Sequence, residues 1–261
     1  MMTFPRRDPG CLAETIVAWL KERVSLAGAQ GGIVGLSGGL DSAVVAVLLQ
    51  RAFGSENMLA VFLPCRSLEG DRRDSQLLVD AFGLPYREID LTSACDALLS
   101  TIEPPALSKL SAANIKPRLR MTTLYALAQT RGFLVCGTSN RPELYMGYST
   151  KYGDGGCDLQ PLGDLLKSEV RSLAVHLKIP DPIIVKPPSA GLWEGQTDER
   201  EIGLSYDEID GYLATGTASA AVREKLHRMN AATEHKRTMP PICVIDAQNG
   251  ASCSNNKTFG G

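Results

Sequence analysis

The hexapeptide Ser37-Gly38-Gly39-Leu40-Asp41-Ser42 lies between two apolar stretches of different character, and this junction restricts the fold more than any other feature of the chain. Before it, Ile33-Val34-Gly35-Leu36 is a short apolar run of the sort buried on both faces of a parallel sheet. After it, residues 43–53 are apolar nearly all round, which suits a helix with little solvent face. Strand, glycine turn and buried helix form the first unit of a layered α/β protein.

The alternation then repeats. Residues 58–63 read as a strand stopped by Pro64, and residues 71–82 as a helix closed by Gly83. Residues 86–91 read as a strand and 92–99 as a short helix, broken by Pro104 and Pro105. Pro117 opens a longer helix that runs to Arg131, and residues 133–136 form a fourth strand. Upstream, Leu12, Ile16, Val17, Leu20 and Val24 recur at helical spacing behind the start signal Asp8-Pro9. The expected fold class is α/β: a Rossmann-like, doubly wound, mostly parallel sheet with helices on both faces. Such folds bind ligands outside the carboxyl ends of their strands.

Residues 139–158 crowd Ser, Tyr, Gly and Asp together without periodicity and read as a long polar loop, a feature that usually carries function. A helix is expected over 167–177, a Pro- and Gly-rich loop over 180–196, and mostly helix from there to about Lys236. The Ser/Asn/Gly-rich stretch 249–261 reads as a disordered tail.

Composition narrows the partners. Lys and Arg total 27 against 29 Asp and Glu, so the chain has no global positive field with which to grip nucleic acid. The longest strongly apolar run, residues 43–49, falls far short of the ~20 residues that span a membrane. The first ten residues lack the apolar stretch of a secretory signal. The 7 cysteines are widely spaced and contain no C-x-x-C pair, which suits neither a disulfide framework nor a zinc site. A cytoplasmic location is therefore expected.

Chemistry concentrates in the glycine turn. Two glycines bring backbone amides close to a ligand, and the helix that follows presents unpaired N–H groups and the positive end of its dipole. An anion suits that place, and Ser37 and Ser42 add hydroxyl donors. Asp41 would repel a phosphate unless a cation lay between them, which suggests Mg²⁺. The segment lacks the Gly-Lys-Ser/Thr ending of a Walker A loop and the spacing of the dinucleotide fingerprint.

This turn resembles the pyrophosphate-binding loop of ATP pyrophosphatases, which share the adenine nucleotide alpha hydrolase-like fold, split ATP between its α and β phosphates and adenylate an acceptor. Later segments narrow the resemblance. Asn114-x-x-Pro-Arg118-Leu-Arg120-Met121, Gly137-Thr138-Ser139-Asn140-Arg-Pro-Glu143 and Gly147-Tyr148-Ser-Thr150-Lys151-Tyr152-Gly153-Asp154-Gly155-Gly156 follow in one order. Then come Pro161-Leu162 before Lys167, Pro188-Ser189-Ala190 before Gly195-Gln196-Thr197-Asp198-Glu199, Tyr206-x-x-Ile209-Asp210, and Glu234-His235-Lys236-Arg237. Together they are similar to ammonia-dependent NAD synthetases from about residue 11 to 246. The resemblance implies a single domain of that type over residues 1–248.

It also implies roles, residue by residue. Gly35, Leu36, Ser37, Gly38, Gly39, Leu40, Asp41 and Ser42 would bind ATP, with Thr138, Lys167 and Ser189 as further ATP contacts. Asp41 and Glu143 would hold Mg²⁺, while Asp41 and Lys167 would serve catalysis. Arg118, Lys151, Asp158, His235 and Lys236 would bind deamido-NAD. Glutamine-using relatives carry an additional amidohydrolase domain for which 261 residues leave no room, so ammonia is the expected nitrogen donor. A homodimer is expected, with neither nucleic acid nor membrane as partner. Two other readings remain open at this point: another adenylating enzyme such as a tRNA-thiolating one, and a nucleotide-binding module without chemistry.

Overall fold

The computed structural model describes residues 7–102, 107–188 and 197–243. Helix α1 (Pro9–Leu26) starts where the Asp8-Pro9 signal implies, with the Asp8 carboxylate accepting the Cys11 amide at 2.8 Å. It buries Leu12, Ala13, Ile16, Leu20 and Val24. Three strand and helix pairs follow: β1 (Gly31–Leu36) and α2 (Leu40–Phe53), β2 (Met58–Phe62) and α3 (Glu69–Phe82), then β3 (Tyr86–Glu88) and α4 (Thr92–Thr101). Helices α5 (Lys109–Ala113) and α6 (Ile115–Arg131) lead into β4 (Phe133–Cys136).

The strands pair in parallel in the order β3-β2-β1-β4. Strand order therefore reverses between β1 and β4, the switch point at which open α/β sheets form a ligand crevice. Alternate residues of the strands face opposite layers, as the pleat requires. Val34, Leu36, Met58, Ala60 and Cys136 pack with α1, α2 and α8 (Lys167–His176). Ile33, Leu59, Val61, Phe133 and Val135 pack with α4 and α6 through Cys95, Met121, Leu124 and Ala128. Both faces of the sheet are thus covered, as expected for an all-parallel sheet.

The chain between and beyond these layers holds α7 (Arg141–Met146), which precedes α8, then α9 (Asp181–Ile184), α10 (Asp198–Ile202), α11 (Tyr206–Thr215), α12 (Ala220–Ala232) and a 3₁₀ turn, Glu234–Lys236. Met146, Ile202, Ile209, Val222 and Leu226 form a smaller apolar cluster of their own. It fastens α7, α10, α11 and α12 beside the crevice.

Three segments differ from the sequence expectation. β3 ends at Glu88 rather than residue 91, although Ile89 and Leu91 still donate to the Phe62 and Pro64 carbonyls at 3.0 and 2.8 Å. The polar stretch 139–158 contains α7, and the Pro-rich stretch 180–196 contains the single turn α9. Both begin at a proline in the first turn, which suits a helix start as well as a loop. Among the described residues no helix is long and apolar enough to cross a membrane.

Candidate active site

The chain leaves β1 at Leu36 and enters α2 at Leu40, so the glycine turn sits at the switch point. Gly38 adopts φ +72°, a left-handed conformation that disfavours a side chain. A Cβ there would also lie 2.5 Å from the Asp71 carbonyl oxygen, because α3 packs its first turn directly against the loop. Within the loop the Ser37 amide donates to Ser42 Oγ at 3.2 Å and the Gly39 amide to Ser37 Oγ at 3.3 Å. The first amides of α2, from Leu40, Asp41 and Ser42, meet no acceptor among the described residues. With the dipole of a 14-residue helix behind them, they form a site for an anion. The turn lines a cleft of about 660 Å³.

Asp41 enters that cleft from the first turn of α2 and meets two distant residues. Its Oδ1 accepts from Asn140 Nδ2 at 3.0 Å and its Oδ2 from Lys167 Nζ at 2.6 Å. Glu143 Oε1 accepts from the same two groups, at 2.7 Å and 3.3 Å respectively. Two carboxylates therefore share one ammonium and one amide. Asn140-Arg-Pro-Glu143 folds as a capping box, in which Asn140 Oδ1 accepts the Glu143 amide and Glu143 Oε2 accepts the Asn140 amide. That box fixes Glu143 against Asp41.

Lys167 is the first residue of α8, and its side chain is only 4% exposed, which excludes a solvated lysine. The positive end of a helix is unfavourable for an ammonium. Here Asp210 accepts the Lys167 and Ser168 amides at 3.0 and 2.8 Å, while the ammonium turns to Asp41 and Glu143. The Tyr206 ring lies 4.9 Å from Nζ, and its single hydroxyl proton stands between two acceptors, Glu143 Oε1 at 3.3 Å and Asp198 Oδ2 at 3.2 Å. Burial would lower the Lys167 pKa, but Asp41 and Glu143 outweigh it and hold the ammonium above its usual range. Burial pushes the Glu143 carboxyl up to about 7, against the pull of Lys167.

Among the described residues no three His, Cys, Asp or Glu side chains stand close enough to cage a metal. Two carboxylates whose oxygens converge on one cation do suit Mg²⁺, which takes one or two carboxylates and completes its shell with phosphate and water. Asp41 and Glu143 could therefore hold such an ion beside a phosphate bound at the glycine turn.

Residues 12–240 match the family model described as NAD synthase. The chain belongs to the NAD synthase family. It is 50% identical over 243 residues to the NH(3)-dependent NAD(+) synthetase of Syntrophomonas wolfei, covering 91% of this chain and 97% of that relative. The protein of the same description from Carboxydothermus hydrogenoformans is 48% identical, with 89% and 96% covered. Among solved structures, NMN synthetase from Francisella tularensis superposes with a TM-score of 0.87 at 36% identity, covering 92% of this chain and 100% of its own. The NH3-dependent NAD synthetase from Campylobacter jejuni superposes at 0.77 and 31%, with 91% and 100% covered.

The positions that the resemblance to NAD synthetases singles out do not all meet in one place. Gly35, Leu36, Ser37, Gly39, Leu40, Asp41, Ser42, Thr138, Glu143, Lys167 and Lys236 line the cleft. Gly38 stands just behind it, packed on Asp71. Arg118, Lys151 and His235 lie outside the cleft wall, joined in a row: Arg118 Nε donates to the Lys151 carbonyl at 3.2 Å and Lys151 Nζ to the His235 carbonyl at 2.6 Å. Lys236 Nζ donates to the Gly147 and Ser149 carbonyls at 2.7 and 2.6 Å, tying the chain's last described turn to the loop after α7. Asp158 is not brought to the cleft: it accepts the Val135 amide at 2.7 Å and the Tyr125 hydroxyl at 2.9 Å. Ser189 and the tail 249–261 lie outside the described residues.

Several residues of the candidate site carry no role in the sequence reading. The Asn140 capping box was visible as Asn-x-x-Glu behind an apolar strand. Tyr206, Asp198 and Asp210 stood inside motifs, but their functions depend on contacts across the fold. Lys186 had no local signal at all. Its Nζ donates to the Gly38 carbonyl at 3.2 Å, Asp71 Oδ1 at 2.9 Å and Asp74 Oδ2 at 2.7 Å, and so clamps the glycine turn to α3.

Proposed function

We propose that the chain is an ammonia-dependent NAD synthetase, a ligase that forms a carbon–nitrogen bond. The observation that carries this reading is the convergence of Asp41, Glu143 and Lys167 beside the open amides of α2. The family membership and the relatives named NH(3)-dependent NAD(+) synthetase support it. In this reaction the nicotinate carboxylate of deamido-NAD attacks the α-phosphorus of ATP and pyrophosphate leaves. Ammonia then attacks the acyl carbon of the mixed anhydride, AMP leaves, and the amide of NAD remains.

The chain's residues divide this chemistry between them. The α2 amides, with Ser37 and Ser42, receive the phosphates that become pyrophosphate. Lys167 turns its ammonium toward the charge that builds on the leaving group. Glu143 and Asp41 would hold Mg²⁺, which when bound neutralises phosphate charge and polarises the phosphorus. Arg118, Lys151, Asp158, His235 and Lys236 would bind deamido-NAD, all but Lys236 from outside the cleft of the single chain, with Ser189 and Thr138 as further ATP contacts. Arg118, Lys151 and His235 stand outside the cleft of the single chain, which favours a homodimer in which a second copy completes the dinucleotide site. The unpaired thiols of Cys11, Cys65, Cys95, Cys136, Cys157 and Cys243 suit the reducing cytoplasm.

The test supplies ATP, Mg²⁺ and ammonium with deamido-NAD, and in a parallel arm with the deamidated mononucleotide that would yield NMN. NAD, AMP and pyrophosphate in equal amounts are expected. Release of ADP, ATP left intact, or faster amidation of the mononucleotide would each overturn the reading.

A further inference from the structure

Arg120 lies in the second turn of α6, half-buried, with its side chain lining the cleft. Nε donates to the Leu63 carbonyl at 2.9 Å and Nη2 to Ser67 Oγ at 3.2 Å. These bonds fix the guanidinium plane against the exit of β2, where Leu63, Ser67 and Leu68 form the wall facing the glycine turn. The remaining nitrogen, Nη1, meets no acceptor among the described residues, and no carboxylate there comes within ion-pair distance of the group.

This environment is unusual for a cation. A guanidinium carries five N–H donors and is rarely covered without an acidic partner, and the half-buried Arg120 keeps its remaining donors toward the cleft. Desolvation pulls the Arg120 pKa below its usual value, with Asp154 and Asp71 opposing that only from a distance. Of the other cleft cations, Lys167 and Lys186 are held by carboxylates, while Lys236 is held by the Gly147 and Ser149 carbonyls. Arg120 is held by a carbonyl and a hydroxyl, which orient it and leave its charge unanswered.

We infer that Arg120 is a further substrate-binding residue, whose clamped guanidinium takes an anionic oxygen of a substrate lying in the cleft. The chemistry required is a phosphate or carboxylate oxygen, supplied either by ATP or by deamido-NAD. The inference deepens the proposed function and rests on it for the identity of these two substrates.

The test measures equilibrium binding of ATP alone and of deamido-NAD alone, conditions without turnover, to the wild-type chain and to Arg120→Gln and Arg120→Lys. Removing a charged hydrogen-bond partner predicts roughly ten- to hundredfold weaker binding of one ligand in Arg120→Gln, with the other nearly unchanged. Loss on ATP identifies a phosphate of the nucleotide triphosphate as the source, and loss on deamido-NAD identifies the dinucleotide. Arg120→Lys retains a charge, but one ammonium cannot serve Leu63, Ser67 and a ligand at once, so it should bind that ligand at least about fivefold more weakly than wild type. Melting temperatures without ligand separate a structural role, which would lower stability without altering affinity. Dissociation constants within about twofold of wild type for both ligands in Arg120→Gln would overturn the inference. If that variant does not fold, the same result in Arg120→Lys decides. A wild-type chain that binds both ligands but makes no NAD would refute the proposed function and leave the binding result on Arg120 standing.

Discussion

At the scale of single residues, Asp41 acquires its role only from partners that reach it through folding. Asn140 and Lys167 bond its two oxygens from different elements, and neither lies near it in sequence. The charge itself was readable, since an aspartate beside an anion-binding turn calls for a cation. The arrangement of Lys167, Asn140 and Tyr206 around it was not, because contacts across the fold leave no periodic trace. Asp41→Asn keeps the side-chain volume but removes the charge and one of the two acceptors that Lys167 and Asn140 use. Its kcat/KM for NAD formation should fall roughly 10²- to 10³-fold, the scale of losing one electrostatic group, and the Mg²⁺ concentration needed for half-maximal rate should rise. Titrating the rate against Mg²⁺ checks both, and an unchanged Mg²⁺ dependence would remove Asp41 from the metal site.

At the scale of elements, α8 is the part that brings Lys167 to the acids, and its first turn is held from two sides. Asp210 of α11 accepts its first two amides. Glu169, which caps the Leu166 amide at 3.0 Å, is gripped by Arg7 through Nε at 2.8 Å and Nη2 at 2.7 Å. Strands, glycine turn and long helices could be read from apolar periodicity, which the core enforces. The short α7 and α9 could not, because a capping box makes the one and a proline start with two buried isoleucines the other, rather than periodicity. The Arg7 clamp was equally invisible, joining residues 162 apart. Burial would raise the Glu169 pKa, but Arg7 and the backbone amides outweigh it, and the value lies below the ordinary 4.5. A carboxylate whose folded-state pKa is depressed stabilises the fold above its unfolded pKa, and that contribution is lost as pH falls through the folded value. Glu169→Gln should therefore melt below the wild type at neutral pH, and the gap should narrow progressively once the pH drops under about 4.5. Thermal melts at several pH values decide: a gap that stays constant into acid would show that the Glu169 charge contributes nothing.

At the scale of the whole molecule, most residues proposed to bind ATP line the cleft of one chain, while Arg118, Lys151 and His235, proposed to bind deamido-NAD, stand outside it. The glycine turn, Asp41, Glu143 and Lys167 converge within it, whereas Arg118, Lys151 and His235 form a row beyond its wall. Arg118 belongs to α6, and α4, α5 and α6 carry exposed apolar side chains: Leu98, Leu110 and Tyr125, with Ile102 just after α4, are all at least 39% exposed. Exposed apolar side chains that gather into one patch mark an interaction surface. Covering it with a second copy would bury those side chains and wall in the dinucleotide row in one step. In solution the particle should therefore have twice the 28.0 kDa chain mass. Dilution or Ile102→Glu, which buries a charge at such a contact, should shift the mass toward one chain. If the partner completes only the proposed dinucleotide site, the dissociated chain should lose affinity for deamido-NAD while holding ATP as before, since the residues proposed for ATP lie within one copy. Light scattering across a dilution series, run beside binding of each nucleotide, separates the possibilities. A single-chain mass with full NAD-forming activity would show that one copy suffices, and the open row would then have to close by movement of its own loops.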